Sequence, residues 1–225
     1  MEDASRDSFG RAYELLRRKL AEGEYRPGTR LAVDGIVTNL RAISATPVRE
    51  ALSRLAGEGL VESRRKDGYF APLPTASEII DLLGMSELYL LAAVNEAAGR
   101  SAVRPIAPEW VNLDQEPGPP KASGSENVER ETRLLFRSLL LLSESRLLVS
   151  SGLATVERLG WPRRVEFDPK LSVDETAAMR TAFDAKDFKC LRHLIRAYHA
   201  VRRDAAMRLE RALQSVADKR KIGGI

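Results

Sequence analysis

The run "SATPVREALSRLAGEGLV", residues 44–61, constrains the fold more than any other stretch of this chain. Val48, Ala51, Leu52 and Leu55 recur at i, i+3, i+4 and i+7, the spacing of one buried helical stripe. Pro47 is tolerated in the first turn, where backbone N–H groups have no intrahelical partner, and Ser44 or Thr46 serves as the cap. At 100° per residue the opposite face carries Thr46, Arg49, Glu50, Ser53 and Arg54. A core helix needs only its stripe, so an outward face of hydroxyls and arginines raises the question of what it meets.

The flanking sequence narrows the answer. Phe9, Ala12, Tyr13, Leu16 and Leu20 predict a first amphipathic helix, closed by Gly23 as C-cap and by a turn at Pro27-Gly28 before an extended "TRL". Residues 33–41, "VDGIVTNLR", read as a short second helix despite Gly35. After Gly59 the halves of "LVESRRKDGYFAPLP" are extended around Asp67-Gly68, a hairpin-turn signal, with Arg64, Arg65 and Lys66 at its tip. Three helices followed by a basic hairpin is the order of a winged helix-turn-helix. "APLPTA" reads as a stiff linker over about 71–76 and ends a first domain of residues 1–75.

From residue 76 the apolar period is helical almost throughout, with segments at 76–103, 107–113, 126–143, 145–159, 172–185 and 187–214. Phe188, Leu191, Ile195, Tyr198, Ala205 and Leu209 share one face of the last of these, which suits a helical bundle over 77–215. "DQEPGPPKASGSEN" and "GWPRRVEFDPK" read as irregular connections, and residues 216–225 as a frayed tail. The expected fold is mainly α: an N-terminal winged helix-turn-helix followed by an all-α helical-bundle domain.

Composition excludes several functions. The 225 residues are 44% hydrophobic and 30% charged, without the roughly 18-residue apolar run of a membrane span. The start lacks the basic and apolar regions of a signal peptide, so a cytoplasmic protein is expected. The single cysteine, Cys190, can form no internal disulfide and is read as a packing residue. The only two histidines are His193 and His199, and no GxSxG or HExxH motif occurs, so no enzyme is expected. A net charge of +4 is compatible with a polyanion without identifying one.

The outward face of residues 44–61 fits double-stranded DNA. A helix of this length can lie in the major groove, where the planar fork of Arg49 can give two hydrogen bonds to guanine O6 and N7. Ser44 and Thr46 can reach phosphates at the helix N-terminus, and Arg64, Arg65 and Lys66 add salt-dependent backbone attraction. Taken singly, Arg49 is equally an ordinary solvated residue, Ser44 or Thr46 merely a cap, and the basic hairpin a soluble turn. Their joint order is what favours DNA.

These motifs, "RPGTRL", "SATPVREALSRLAGEGLV" and "GYF", resemble the winged helix of the GntR family of bacterial transcription regulators, in the branch with an all-α effector-binding domain of the FCD type. The resemblance implies Arg49 as base-reading residue, with Ser44, Thr46, Arg54 and Gly68 near the DNA, and a homodimer on an inverted-repeat operator, most often as repressor. Two departures stand out. Ala45 replaces the Arg of the usual "SRTPVRE", and "LRAIS" replaces "LGVS", leaving Arg41 as a substitute cation.

The same resemblance implies a divalent metal held by one Asp and three His, with a small carboxylate effector. The matching positions here are Arg133, Arg137, Thr176 and Tyr198, or His199 one residue on, so no metal and no cofactor are expected. Arg133 and Arg137, one turn apart, could clamp an anionic effector directly. Glu129, Arg130, Arg133 and Arg137 also read as one solvated polar stripe. Tyr89 falls where the family often has an effector-facing Arg, although an aromatic on an apolar face is more often core. A DNA-binding dimer whose second domain has lost ligand sensing is the alternative, and an enzyme or scaffold borrowing a winged helix is a third reading.

Overall fold

The computed structural model describes residues 2–39, 43–100, 124–166 and 169–222. Packing divides the chain into two compact units, Met1–Leu73 with Leu213–Ile225, and Pro74–Ala212. Among the described residues the only strands form one two-stranded hairpin, and everything else regular is helical.

The first unit contains α1 (Glu2–Ala21), α2 (Val33–Asn39), α3 (Ala45–Gly57), β1 (Glu62–Arg64) and β2 (Gly68–Phe70). Ala12 and Leu16 of α1 pack with Val48, Ala51, Leu52 and Leu55 of α3, all at most 1% exposed. Each leucine removed from water in this way stabilises the unit by roughly 1.5–3 kcal/mol. Both α1 and α3 end in the same device. Glu24 N–H donates to the Lys19 carbonyl at 3.0 Å and Leu60 N–H to the Leu55 carbonyl at 2.9 Å, across Gly23 and Gly59 in the left-handed region (φ 76° and 72°). The second of these turns the chain out of α3 and into the hairpin.

The hairpin differs in detail from its sequence signal. Glu62 pairs with Phe70 and Arg64 with Gly68, so the loop is Arg65–Asp67, with Lys66 at φ 71° and Gly68 at φ 96°. Arg64 therefore lies in β1 rather than at the tip. Leu31 N–H donates to the Tyr69 carbonyl at 2.7 Å and Ala71 N–H to Thr29 at 2.8 Å, fastening the "TRL" segment along β2. A side chain at Gly28 would touch Leu73 and Ala217.

The second unit comprises α4 (Ala76–Ala98), α5 (Gly124–Leu140), α6 (Arg146–Arg158), α7 (Gly160–Arg164), α8 (Pro169–Asp184), α9 (Phe188–Asp204) and the start of α10 (Ala206–Ile222). A capping box opens α4, Thr75 accepting from Glu78 N–H at 3.3 Å while the Glu78 carboxylate accepts from Thr75 N–H at 2.8 Å. Its core joins Leu90, Val94, Phe136, Leu139, Leu191 and Ile195. α5 and α6 approach closely, since a Cβ on Gly152 would lie 2.5 Å from Leu140 Cδ2.

Four expectations are corrected. The single helix over 187–214 is two, broken at Ala205, where no Gly or Pro marks the break. "GWPRR" is helical, with Pro162 in a first turn that needs no N–H from it. The tail is helical to Ile222, and from Leu213 it packs with the first unit. Cys190 is exposed, because Asp187 caps α9 and sets Cys190 on the solvent side of its first turn. The segment 107–113, Trp110 and most of "DQEPGPPKASGSEN" lie outside the described residues.

Candidate nucleic-acid interface

The two faces of α3 separate as the spacing predicts. Pro47, Val48, Ala51, Leu52 and Leu55 are buried, while Thr46, Arg49, Glu50, Ser53 and Arg54 are exposed. Ser44 is the N-cap residue, is exposed and makes no side-chain capping bond, so its hydroxyl is not committed to the N–H groups of the first turn. Arg41 lies outside the described residues.

The cations divide into two kinds. Arg49, Arg65 and Lys66 are exposed and form no ion pair among the described residues. Arg54 is engaged: its Nε lies 3.3 Å from Glu58, and its guanidinium sits 4.7 Å above the Tyr13 ring. Tyr13 itself donates to both Glu58 oxygens at 2.7 and 2.8 Å, and burial, reinforced by that carboxylate, holds its phenol well above the usual range. Arg64 is engaged too. Its Nε and Nη2 grip Glu62 at 2.8 and 2.9 Å, and its guanidinium lies 4.1 Å from the Phe70 ring centroid. The hydrogen bond from Arg64 holds the Glu62 carboxyl below its ordinary range.

Arg30 is a cation that the motif reading passed over. It is exposed, is bridged to Phe70 through the backbone, and places Nε and Nη2 each 3.8 Å from where a side chain on Gly68 would begin. It has no ion pair among the described residues and so adds an available charge at the root of the wing. A basic residue in a segment that pairs with β2 was the signal, but that pairing is visible only in three dimensions.

In the second unit the positions singled out by the resemblance are buried or partly buried rather than solvated. Arg133 is 4% exposed, 3.4 Å from Glu129, which also meets Arg164 at 2.9 Å. Arg137 points to Glu157 at 3.5 Å. The two arginines thus meet different carboxylates instead of forming two jaws. Thr176 shares a 2.8 Å hydroxyl contact with Thr132, and Tyr89 is half-buried against the helical core.

Tyr198 packs edge-on to Phe136 at 5.1 Å, and burial pushes its phenol up to about 12. His199 is fully buried. Its Nδ1–H donates to the Ile195 carbonyl at 2.7 Å, which leaves Nε2 to accept from Ser86 at 3.0 Å, and burial pushes its pKa down to about 3. With both ring nitrogens committed and Arg, Arg, Thr and Tyr at the other matched positions, this donor set does not fit a divalent metal. His193 is exposed and Trp161 half-buried.

With that geometry in view, residues 9–70 match the family of bacterial regulatory proteins named gntR. The chain is 27% identical over 168 residues to the Nta operon transcriptional regulator of Aminobacter aminovorans, covering 74% of this chain and 79% of that protein. Its fold is similar to that of a GntR transcriptional regulator from Rhodococcus sp. RHA1, with a TM-score of 0.63 at 20% identity over 89% of this chain and 96% of that one. It is also similar to McbR/YncC of E. coli, with a TM-score of 0.60 at 19% identity, over 87% of this chain and 96% of that one. No described helix is long and apolar enough to cross a membrane. Family and relatives are regulators rather than enzymes, and this protein is a transcriptional regulator whose residues 9–70 form a GntR-family DNA-binding domain.

Proposed function

We propose that the protein is a cytoplasmic homodimeric repressor that reads an inverted-repeat operator and responds to a small organic anion held in an FCD-type domain over residues 77–215. The observation that carries the DNA half is the outward face of α3, where Arg49 is exposed and unpaired beside Ser44, Thr46 and Ser53. In a major groove Arg49 would grip a guanine edge, while Arg65, Lys66 and the wing turn at Gly68 would meet the backbone. Two-fold symmetry in the protein matches two-fold symmetry in the operator. α4 supports the dimer, because Ile80, Met85 and Leu88 on its outer side are 42%, 41% and 58% exposed around Gly84, and a helix apolar on both sides calls for a second partner.

Mobility shift on the protein's own upstream region is the test. Retarded DNA with wild type and loss of affinity in Arg49→Ala supports the reading, and unchanged affinity in that variant sinks the role of Arg49. The effector half rests on the polar chemistry buried among Thr132, Arg133, Thr176, Tyr198 and His199. A protein whose second domain only dimerises would show no rise in melting temperature across a library of organic acids, whereas a ligand of the folded state must raise it.

A further inference from the structure

α3 carries an arginine on each flank of its outward face, and the two are held in different ways. Arg49 and Arg54 are five residues apart, which sets them about 140° from each other around the helix, with Thr46, Glu50 and Ser53 between them. Arg49 is exposed and makes no ion pair among the described residues. Arg54 is exposed as well, yet its Nε donates to Glu58 Oε1 at 3.3 Å and its guanidinium lies 4.7 Å from the centroid of the Tyr13 ring. Its Nη1 and Nη2 have no hydrogen-bond partner among the described residues.

The group that holds Arg54 is itself held. Glu58 is the C-cap residue of α3, and its carboxylate accepts from the buried Tyr13 hydroxyl at 2.8 and 2.7 Å. Burial, reinforced by that carboxylate, keeps the proton on the phenol, so Tyr13 remains the donor. Tyr13 belongs to α1, which packs on α3 through Ala12 and Leu16. One side chain of α1 thus supplies both a ring beneath the guanidinium and a hydroxyl that fixes the carboxylate beside it. The wing pair is built differently, because Arg64 commits both Nε and Nη2 to Glu62. Arg64 must leave its partner to meet a phosphate, whereas Arg54 keeps its partner and has its far end open.

Groove geometry gives that open end a target. A helix with its side chains is roughly 10–12 Å across and the major groove about 12 Å wide, so a seated helix has bases below its centre line and a phosphate backbone beside each flank. Arg54 lies about 7.5 Å along the axis from Arg49, past the N-terminal residues that meet base edges, and on the flank next to α1. A long side chain loses rotamer freedom on meeting a phosphate, and one already held against Tyr13 and Glu58 has less to lose.

We propose that Glu58 and Tyr13 are positioning residues for DNA binding, holding Arg54 by its Nε so that Nη1 and Nη2 face a phosphate on the α1 side of the groove. This rests on the reading of α3 as the helix that enters the groove. The sign of one substitution is diagnostic. A carboxylate that merely sat near DNA would repel it, and its removal would strengthen binding. Removal of a positioning carboxylate weakens binding in spite of that electrostatic gain.

The test measures binding of the full-length protein to its own upstream region and to a mixed-sequence duplex, by fluorescence anisotropy at several salt concentrations. The variants are Glu58→Gln, Tyr13→Phe and Arg54→Ala, singly and with each of the first two combined with Arg54→Ala. Tyr13→Phe keeps the ring and loses only the hydroxyl. Arg54→Ala is expected to weaken binding to both DNAs by a similar factor and to lower the salt slope by about one. Glu58→Gln is expected to weaken binding about three- to tenfold and Tyr13→Phe about two- to fourfold, and neither to weaken it further in the Arg54→Ala background. Stronger binding by Glu58→Gln overturns the proposal. So do losses that persist undiminished in the Arg54→Ala background, which is what a purely structural role for the pair would give. If the melting curve shows that Tyr13→Phe fails to fold, the cycle of Glu58→Gln with Arg54→Ala decides alone. Arg49→Ala, measured alongside, separates the two readings. If it weakens binding to the upstream region while Arg54→Ala changes nothing, only the positioning proposal fails, and if wild type binds neither DNA the reading of α3 fails with it.

Discussion

The same bidentate pair occurs in both units with opposite consequences. In the wing, Arg64 grips Glu62 with both side chains more than 40% exposed, whereas in the helical unit Arg202 grips Glu166 with both at 10% or less. Water already solvates the first pair, so its formation changes little. The second pair has left water, and each charge depends on the other. The first unit thus keeps its ion pairs in contact with water, and the helical unit buries several of its own. That contrast matches a surface that can trade counterions with a polyanion on one hand, and an interior held by matched charges on the other.

The largest expected effect breaks the buried pair. Glu166→Ala should lower stability by about 3 kcal/mol, measured by urea denaturation, because it removes the bidentate partner of buried Arg202 and leaves Glu175 as its only carboxylate among the described residues. Loss of less than about 1 kcal/mol would mean that solvent reaches the pair and that the contrast with the wing is false. Next is Arg49→Ala, which should cost roughly 1–3 kcal/mol of operator binding and relax preference at one guanine position, read by titrating operators with single base changes.

A pH experiment probes the interior again. His199 is held neutral with a pKa near 3, against about 6.5 when unfolded, so the unfolded state binds the extra proton as pH falls below that value. Stability from this group is present above about pH 6.5 and is lost on acidification, roughly 1 kcal/mol between pH 7 and 5.5. Urea midpoints at the two pH values should show the loss, and His199→Gln should flatten it.

The smallest effects belong to the wing. Glu62→Gln should change stability by less than about 1 kcal/mol yet steepen the salt dependence of operator binding, because it releases Arg64. Arg30→Ala should do the reverse, reducing the salt slope by about one with similar loss on every sequence. An unchanged slope in Arg30→Ala would place that residue away from the phosphates.

Much of the first unit was legible because its signals are local. The stripe of α3, Gly23 and Gly59 as left-handed caps, and the turn near Gly68 each depend on a few neighbouring residues. The helical unit was legible only as a class. The break at Ala205 carries no punctuation, and the stripe from Glu129 to Arg137 has the pattern of a solvated face although Glu129 and Arg133 are buried. Periodicity tells which residues share a helical face, but only packing against other helices tells whether that face meets water.

By itself, then, the chain's order of residues determined a GntR-type winged helix and the outward face of α3 with Arg49 on it. Tertiary structure decided which cations are free. It tied Arg54 to Glu58 and Arg64 to Glu62, and brought Arg30 beside Gly68. Charge is written in the residue, but its availability depends on which neighbours the fold places within hydrogen-bond reach and on how much water remains there.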